Sequence, residues 1–240
     1  MIEQFCFRIS DIPDTVLDSE LAVKLHGVLM NRIPPDLAAR FHTQSLRPYA
    51  LSVFPTEQNG VYSGKLHILH EAAAALADAL LAEENMFIGG LRKPVPIAVT
   101  QQETLYLRAE TDSLCSSRLR ICFLTPAMYK VKSLPCNFPD LPRLLHSVLE
   151  KMRQFEGVNI SDDVLRQMLS EIRIYNWKLQ SAAYKITGRA EHGMMGMIEC
   201  TLPQEESASR LLKTVFRYAS YCGIGAKTAL GMGSISVEAI

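Results

Sequence analysis

The order of its predicted strands and helices constrains the fold of this chain more than any other feature of the sequence. In each half, the hydrophobic periodicity predicts a strand, helical sequence, two strands, further helical sequence and a last strand. This βαββαβ order is that of the split β-α-β motif. We therefore predict an α+β protein with two ferredoxin-like (RRM-like) domains in tandem, although no sequence repeat relates the halves.

The first half begins with an alternating strand in which Phe5, Phe7 and Ile9 share one face. Its predicted strands cover residues 3–9, 49–54, 61–69, 86–100 and 104–109. Its predicted helices cover residues 18–31, 36–42 and 71–84. The polar stretch 111–117 marks the predicted boundary, which gives an N-terminal domain at 1–112 and a C-terminal domain at 118–240.

The second half repeats this order. Its predicted strands cover residues 118–124, 184–189, 196–202 and 234–237, with a glycine-containing turn at 191–195. Its predicted helices cover residues 141–153, 162–172 and 204–221. The last helix carries an apolar stripe at helical spacing, formed by Leu211, Leu212, Val215, Phe216 and Ala219.

A glycine-rich segment joins the last predicted helix to the last predicted strand. Gly223, Gly225, Gly231 and Gly233 bracket one lysine, Lys227. Glycine tolerates positive φ and lets the backbone approach a ligand closely, successive N–H groups in such turns can bind an anion, and the lysine would add a charge for phosphate. The alternative is a glycine-rich turn without a ligand. The segment matches neither the Walker phosphate loop nor the dinucleotide-binding fingerprint.

Composition limits the class of protein and its compartment. The chain has 25 basic and 25 acidic residues, whereas nucleic-acid-binding proteins are often strongly basic; a local basic groove remains compatible with this balance. Its six cysteines form neither a C-x-x-C pair nor a zinc-finger spacing, which suits free thiols in a reducing cytosol. Without a visible signal peptide or an apolar run long enough to span a bilayer, we expect a cytoplasmic protein that does not bind membranes.

His42 is the strongest catalytic candidate among the six histidines. It ends the short predicted helix 36–42, a polar turn follows, and Arg47 begins the next strand. A histidine at a helix end is accessible, and an ordinary pKa near 6.5 suits proton transfer. The alternative is a histidine that only caps the helix. No two histidines have metal-ligand spacing with a carboxylate, so we expect neither a metal site nor a cofactor.

Three segments resemble the CRISPR-associated endoribonucleases that cut the repeat RNA of precursor transcripts, a family of the RAMP superfamily. They are residues 25–42, 47–54 and 223–233, with a weaker similarity at 123–129. The resemblance implies two ferredoxin-like domains and metal-independent cleavage of RNA. In that reaction the ribose 2′-OH attacks the adjacent phosphate, which leaves a 2′,3′-cyclic phosphate and a 5′-OH.

The resemblance also implies site residues. His42 aligns with the family's usual catalytic histidine, and Arg47 stands where some members have a lysine close to the scissile phosphate. Some members have a tyrosine on the first helix, where this chain has Met30, which has no proton to exchange. His26 lies one turn earlier on the same face and could take that role. We predict His42, His26 and Arg47 as catalytic residues, with the acid and base roles left open.

CRISPR repeat RNA is the partner that the resemblance implies, and the backbone of this RNA is expected to contact the glycine-rich segment: Gly223, Gly225, Lys227, Gly231 and Gly233. Two other functions stay open at this stage. One is a non-catalytic RAMP subunit of an interference complex that only binds RNA. The other is a ferredoxin-like small-molecule-binding protein, which would leave the glycine-rich segment unexplained. A CRISPR effector complex and a homodimer are further hypotheses about assembly.

Overall fold

The computed structural model describes residues 1–13, 16, 18–82, 84–158 and 160–240. These residues form a five-stranded sheet, a four-stranded sheet and a two-stranded hairpin. Both larger sheets are antiparallel and carry the ferredoxin-like strand order, so the predicted fold class is confirmed. The domain limits, 1–112 and 118–240, stay predictions.

The first domain places its first strand at the centre of the sheet, in the order β2-β3-β1-β5-β4. Its strands are β1 (Ile2–Ile9), β2 (Tyr49–Pro55), β3 (Tyr62–Ile68), β4 (Asn85–Met86) and β5 (Val95–Leu105). Its helices are α1 (Asp18–Arg32), α2 (Pro35–Thr43), α3 (Ala74–Leu81) and α4 (Leu107–Asp112).

Periodicity explains how α1 lies on this sheet. The alternating side chains of β1 put Phe5 and Phe7 on the buried face. Helix α1 covers that face with Leu21, Leu25 and Leu29, which are one turn apart and fully or almost fully buried. The face of α1 next to this apolar stripe therefore stays available for polar side chains.

The second domain has the sheet order β11-β6-β10-β9. Its strands are β6 (Arg118–Ala127), β7 (Tyr129–Val131), β8 (Leu134–Cys136), β9 (Arg173–Ile186), β10 (Arg189–Thr201) and β11 (Ile235–Ala239). Its helices are α5 (Leu141–Glu156), α6 (Asp162–Ser170) and α7 (Glu206–Cys222). The predicted stripe of α7 is buried in the core at Leu212, Val215, Phe216 and Ala219, with Leu211 packed at its edge. None of the helices in the described ranges is both long and apolar enough to cross a bilayer.

The turn predicted at residues 191–195 is wrong. Strands β9 and β10 meet at Thr187 and Gly188, which have φ angles of 43° and 81°, a pair of positive values typical of a two-residue hairpin turn. Gly193 and Gly196 lie inside β10 instead. A Cβ at Gly193 would meet Pro126 of the neighbouring strand, and Gly196 is at an irregularity of the ladder with φ of 123°.

Two predicted strands of the first domain are also corrected. The strand predicted at 86–100 is interrupted between β4 and β5, since Gly89 and Gly90 turn the chain and Gly90 has φ of 87°. The strand predicted at 104–109 ends at Leu105, and α4 follows. Sequence periodicity also missed the hairpin β7–β8, whose turn residues Lys132 and Ser133 have positive φ without being glycines.

The two domains meet along several elements. The glycine-rich segment contacts β2 and α1, and α1 also contacts β9. Lys185 on β9 forms an ion pair of 2.5 Å with Glu20 on α1. His67 on β3 packs against the ring of Tyr221 on α7, with ring centroids 5.5 Å apart. Helix α1, which carries His26, therefore packs directly against the second domain.

Candidate active site

Helix α2 presents His42 at its last turn. Pro35 starts this helix, where its missing N–H breaks no hydrogen bond. Phe41 is buried and anchors the end of the helix, whereas the adjacent His42 is exposed. The structure thus gives His42 the accessible position on which its prediction depends.

His26 lies on α1 and faces His42. The centroids of the two imidazole rings are 6.5 Å apart, and the rings are nearly perpendicular at 78°. His26 is half-buried because it borders the apolar stripe of α1. The structure therefore brings together two predicted residues from different helices.

Arg47 lies just before β2 and is hydrogen-bonded to the backbone at the end of α2. Its Nη2 donates to the carbonyl of His42 at 3.1 Å, and its Nη1 donates to the carbonyls of Gln44 and Ser45. These carbonyls lie in the last turn of α2 and just after it, where backbone acceptors lack partners within the helix. Arg47 thus lies beside both histidines and holds the turn that positions His42.

Tyr49 is a site residue that the sequence reasoning missed. It begins β2 and is almost fully buried, and its Oη is hydrogen-bonded to Nε2 of His26 at 2.9 Å. Its ring stacks on that imidazole, with centroids 6.0 Å apart and planes at 23°. In the sequence, Tyr49 is distinguished only by its position two residues after Arg47, at the start of an apolar strand. That position could not reveal a contact with a helix 23 residues earlier.

Burial sets the protonation of these two rings. It lowers the pKa of His26 to about 4, and the positive charges of His42 and Arg47 act in the same direction. Burial raises the pKa of Tyr49 to about 12, although Arg47 opposes this shift. At neutral pH the imidazole of His26 and the phenol of Tyr49 are therefore both uncharged.

The arrangement suits proton transfer next to a developing negative charge. It combines an exposed imidazole on His42, a neutral imidazole on His26 and the guanidinium of Arg47. Imidazoles exchange protons near neutral pH, and a fixed cation stabilises an anionic transition state. Among the described residues, no three His, Cys, Asp or Glu side chains are grouped so that they could hold a metal ion.

The glycine-rich segment packs closely against its own protein. The N–H groups of Gly225 and Ala226 donate to the carbonyls of Leu144 and Met128, at 3.1 and 2.7 Å. All four predicted glycines have positive φ, between 70° and 98°. A Cβ at any of them would be too close to a neighbouring protein atom: Thr228 for Gly223, Met128 for Gly225, Tyr184 for Gly231 and Ile224 for Gly233.

The packing of the segment is thus enough to explain why these four positions are glycines, because the space that a side chain would fill is already occupied by protein. The buried Lys151 also stabilises the segment. Its Nζ donates to the carbonyl of Cys222 at 2.6 Å and to Oγ1 of Thr228 at 2.8 Å. Contact between the segment and RNA stays a prediction.

Lys227 is already paired with a carboxylate. Its Nζ lies 2.6 Å from Oε1 of Glu191 on β10, and both side chains are about a quarter exposed or less. A phosphate that binds Lys227 would have to compete with Glu191 or share the lysine with it. Its predicted role in binding therefore depends on the strength of this ion pair.

Comparisons with known proteins point to one family. The model of the family described as CRISPR-associated endoribonuclease Cas6 matches residues 121–235. The chain is also 24% identical over 245 residues to the CRISPR-associated endoribonuclease Cas6 of Streptococcus thermophilus. That match covers 98% of this chain and 96% of the relative.

Solved structures show the same fold. A Cas6 product complex has a TM-score of 0.81 and 22% identity, and the match covers 99% of this chain and 100% of that chain. A Cas6 substrate mimic complex has a TM-score of 0.74 and 20% identity, with 99% of each chain covered. The resemblance that the sequence segments predicted is confirmed.

Proposed function

We propose that this chain is a CRISPR-associated endoribonuclease that cleaves the repeat RNA of precursor transcripts and produces mature guide RNAs. The observation that carries the proposal is the meeting of His26, His42 and Arg47 at one accessible place. It is supported by similarity over nearly the whole chain to relatives named as endoribonucleases. The alternative, a RAMP subunit that only binds RNA, is not favoured by these relatives.

In the proposed reaction, the ribose 2′-OH attacks the adjacent phosphate and displaces the 5′ oxygen of the next nucleotide. The products are a 2′,3′-cyclic phosphate and a 5′-OH. A base must take the proton of the 2′-OH, and the departing 5′ oxygen must receive a proton, which the protonated base or water supplies. A donor or cation must stabilise the charge that develops on the phosphate.

We assign the base to His42. Its ring is exposed at the end of α2, where a ribose can reach it. His26 is uncharged at neutral pH because its pKa is near 4, so it cannot serve the free enzyme as an imidazolium acid. We assign it instead a hydrogen bond to a phosphate oxygen.

Arg47 supplies the positive charge in this proposal. A guanidinium has five N–H groups, and the backbone carbonyls at the end of α2 engage Nη1 and Nη2 on one side. Arg47 also forms a side-chain hydrogen bond with Tyr49, and we assign to the rest of the planar fork a hydrogen bond to a phosphate oxygen. The same residue would then fix the turn of His42 and stabilise the reacting phosphate.

Three further parts of the proposal concern conditions and assembly. The reaction needs no metal ion, since proton transfer and charge stabilisation are both assigned to side chains. The glycine-rich segment and Lys227 contact the RNA backbone. A cytoplasmic location, association with an effector complex and homodimerisation are hypotheses that follow from the family resemblance and the free cysteines.

The test is cleavage of the cognate repeat RNA in the presence of EDTA, with analysis of the product ends. We expect a 2′,3′-cyclic phosphate and no cleavage of an RNA that lacks the 2′-OH at the scissile nucleotide. Cleavage of this 2′-deoxy substrate, or cleavage that requires added Mg²⁺, would contradict the mechanism.

The matched variants are His42→Ala and His192→Ala, since His192 is an exposed histidine of the second domain. Loss of general acid–base catalysis typically slows a reaction by about 10²–10⁴-fold. We expect this loss for His42→Ala, with RNA affinity nearly unchanged, and no loss for His192→Ala. A His42→Ala rate above about half that of the wild type would show that His42 is not the base.

A further inference from the structure

We propose that Tyr49 is a positioning residue that holds His26 in the neutral tautomer with its proton on Nδ1, so that Nδ1 is the nitrogen that faces RNA. This inference rests on the proposed function for its meaning in the reaction. Its structural content, the tautomer of one histidine, can be tested without any RNA.

The geometry leaves one nitrogen of His26 for a substrate. Nε2 lies 2.9 Å from Oη of Tyr49, and the two rings stack at 23°. Within the described part of the chain, no second hydrogen-bond partner of the His26 ring is found. Tyr49 is about 1% exposed, so its hydroxyl is held in place by the core and cannot leave Nε2 for solvent.

The direction of this hydrogen bond decides the tautomer. If Tyr49 donates, Nε2 of His26 accepts and the proton of the neutral ring sits on Nδ1. If Nε2 donates instead, the phenolic hydrogen must find another acceptor. The acceptor at hand is the thioether of Met30, with Sδ 3.9 Å from Oη, and a thioether sulfur accepts hydrogen bonds only weakly.

The charge of Arg47 favours the same direction. Its guanidinium acts on Tyr49 and lowers the pKa of that phenol against the effect of burial. A nearby cation makes the phenolic O–H a better donor and its oxygen a poorer acceptor. Tyr49 therefore donates to Nε2, and His26 carries its proton on Nδ1.

This tautomer defines what His26 contributes. A neutral ring with its proton on Nδ1 can donate a hydrogen bond to a phosphate oxygen, while its one lone pair, on Nε2, accepts from Tyr49 and is not available to remove a proton. His26 is thereby excluded as the base, and His42 is left with that role. Tyr49 acts only through His26, because its own hydroxyl is buried away from the substrate.

The first measurement is the nitrogen spectrum of the imidazoles in the full chain, at pH 7.5 and without RNA. Long-range ¹H–¹⁵N correlations distinguish a protonated ring nitrogen from an unprotonated one, and the His26→Gln variant identifies the His26 signals by their loss. We expect a protonated Nδ1 and an unprotonated Nε2. A protonated Nε2 in the wild type would overturn the inference, and this outcome does not depend on the folding of any Tyr49 variant.

The second measurement uses Tyr49→Phe, with Tyr218→Phe as its control. Both remove one buried phenolic hydroxyl, and that of Tyr218 has no hydrogen-bond partner among the described residues. We expect Tyr49→Phe to move His26 toward the Nε2–H form, which free histidine prefers in water. Tyr218→Phe should leave the His26 signals unchanged. An unchanged tautomer in folded Tyr49→Phe would contradict the role of Tyr49.

Cleavage then connects the tautomer to the reaction. We expect Tyr49→Phe to lower the single-turnover rate at least about tenfold without changing RNA affinity, and Tyr218→Phe to cleave at the wild-type rate. A shifted tautomer with a wild-type rate would overturn the role of Tyr49 in catalysis. Absence of cleavage by the wild type, together with the expected tautomer, would instead contradict the proposed function and leave the assignment of the tautomer intact.

Discussion

At the scale of single residues, His26 and His42 occupy different environments although their rings are neighbours. His42 is exposed, whereas His26 is half-buried, hydrogen-bonded to Tyr49 and uncharged at neutral pH. Burial and neighbouring charges thus distinguish His26 from a chemically identical side chain next to it. Such divergence between paired titratable groups is typical of acid–base sites.

We expect His26→Ala to slow the chemical step by at least about tenfold, because it removes the donor assigned to the reacting phosphate. Binding of RNA should change little, since affinity for nucleic acid comes mostly from cationic contacts with phosphates and His26 is uncharged at neutral pH. Single-turnover rates and RNA affinity, measured on samples with a confirmed fold, check this. An unchanged rate in a folded variant would show that His26 serves only packing.

Arg47 allows a test that separates charge from geometry. Arg47→Ala should lose rate, since both the charge and the bonds to the carbonyls of His42 and Gln44 disappear. Arg47→Lys should recover part of the rate, because a lysine restores the charge but not the planar fork. The check is the single-turnover rate and melting temperature of both variants. If lysine is no better than alanine, the role of Arg47 is to hold the turn after α2.

At the scale of elements, the glycine-rich segment of the second domain packs against the first domain. It packs on β2 and α1, and Lys151 fastens it to α5. Its glycines are therefore needed to fold the segment, whether or not RNA also contacts its outer face. Substitutions at these positions should be read first as changes in stability.

Gly225→Ala and Gly157→Ala form a matched pair for this interpretation. Both glycines have positive φ, 71° and 67°, but a Cβ at Gly225 would collide with the carbonyl of Met128, whereas nothing lies within 4 Å at Gly157. We expect about 1–2 kcal/mol of destabilisation at Gly157 and more than about 3 kcal/mol at Gly225. Chemical denaturation measures both changes in the free energy of unfolding. Equal changes would show that the backbone near Gly225 moves to accommodate the Cβ.

Lys227 and Glu191 test whether this segment also contacts RNA. If Lys227 binds a phosphate, Lys227→Ala should weaken binding modestly for every repeat sequence and lower the salt slope by about one unit or less. Glu191→Gln should strengthen binding, because it releases the lysine from its 2.6 Å ion pair. Affinities measured over a range of salt concentrations decide this. If neither variant changes the affinity, the ion pair only joins the segment to β10.

The order of elements was predictable because strand and helix periodicity are local. The buried stripe of α7 and the alternation of β1 are repeated within a few residues, and both were identified. The turn at Thr187 and Gly188 was missed because the glycines of β10 gave a stronger turn signal. Those glycines are explained only by contacts with Pro126 and Lys178 on other strands, which no local pattern contains.

The candidate site shows the same limit. His42 was predictable from its place at a helix end and Arg47 from its position after the turn, whereas His26 was inferred from the face it shares with Met30. Tyr49 was not found, since its bond to His26 depends on how α1 lies over β2. Sequence thus indicated three residues of the candidate site but not Tyr49, the hydrogen-bond partner of one of them.

At the scale of the whole molecule, a buried histidine lies where the two domains meet. His67 on β3 donates from Nε2 to Oε1 of Gln4 at 2.8 Å, and its ring packs against Tyr221 of the second domain. Burial lowers the pKa of His67 to about 3, and the charge of Lys65 acts in the same direction. The folded state therefore favours the neutral form of this ring.

The stability of the protein should fall as the pH falls below about 6.5. There the unfolded chain protonates His67 while the folded chain does not until about pH 3, so the unfolded state binds more protons and gains stability on acidification. Each histidine that is neutral in the folded state and protonated in the unfolded state lowers the free energy of unfolding by up to about 1.4 kcal/mol per pH unit. His26 adds to this loss down to about pH 4.

We expect His67→Gln to reduce this pH dependence, because glutamine keeps a donor for Gln4 but binds no proton. Its free energy of unfolding should vary less than that of the wild type between pH 6.5 and 4.5, by about 1 kcal/mol per pH unit. His192→Gln, at an exposed position, should keep the wild-type dependence. Urea denaturation followed by circular dichroism at several pH values measures all three. A His67→Gln slope equal to that of the wild type would mean that His67 is protonated in the folded protein, or that the domain interface opens as the pH falls and lets the histidine take up a proton.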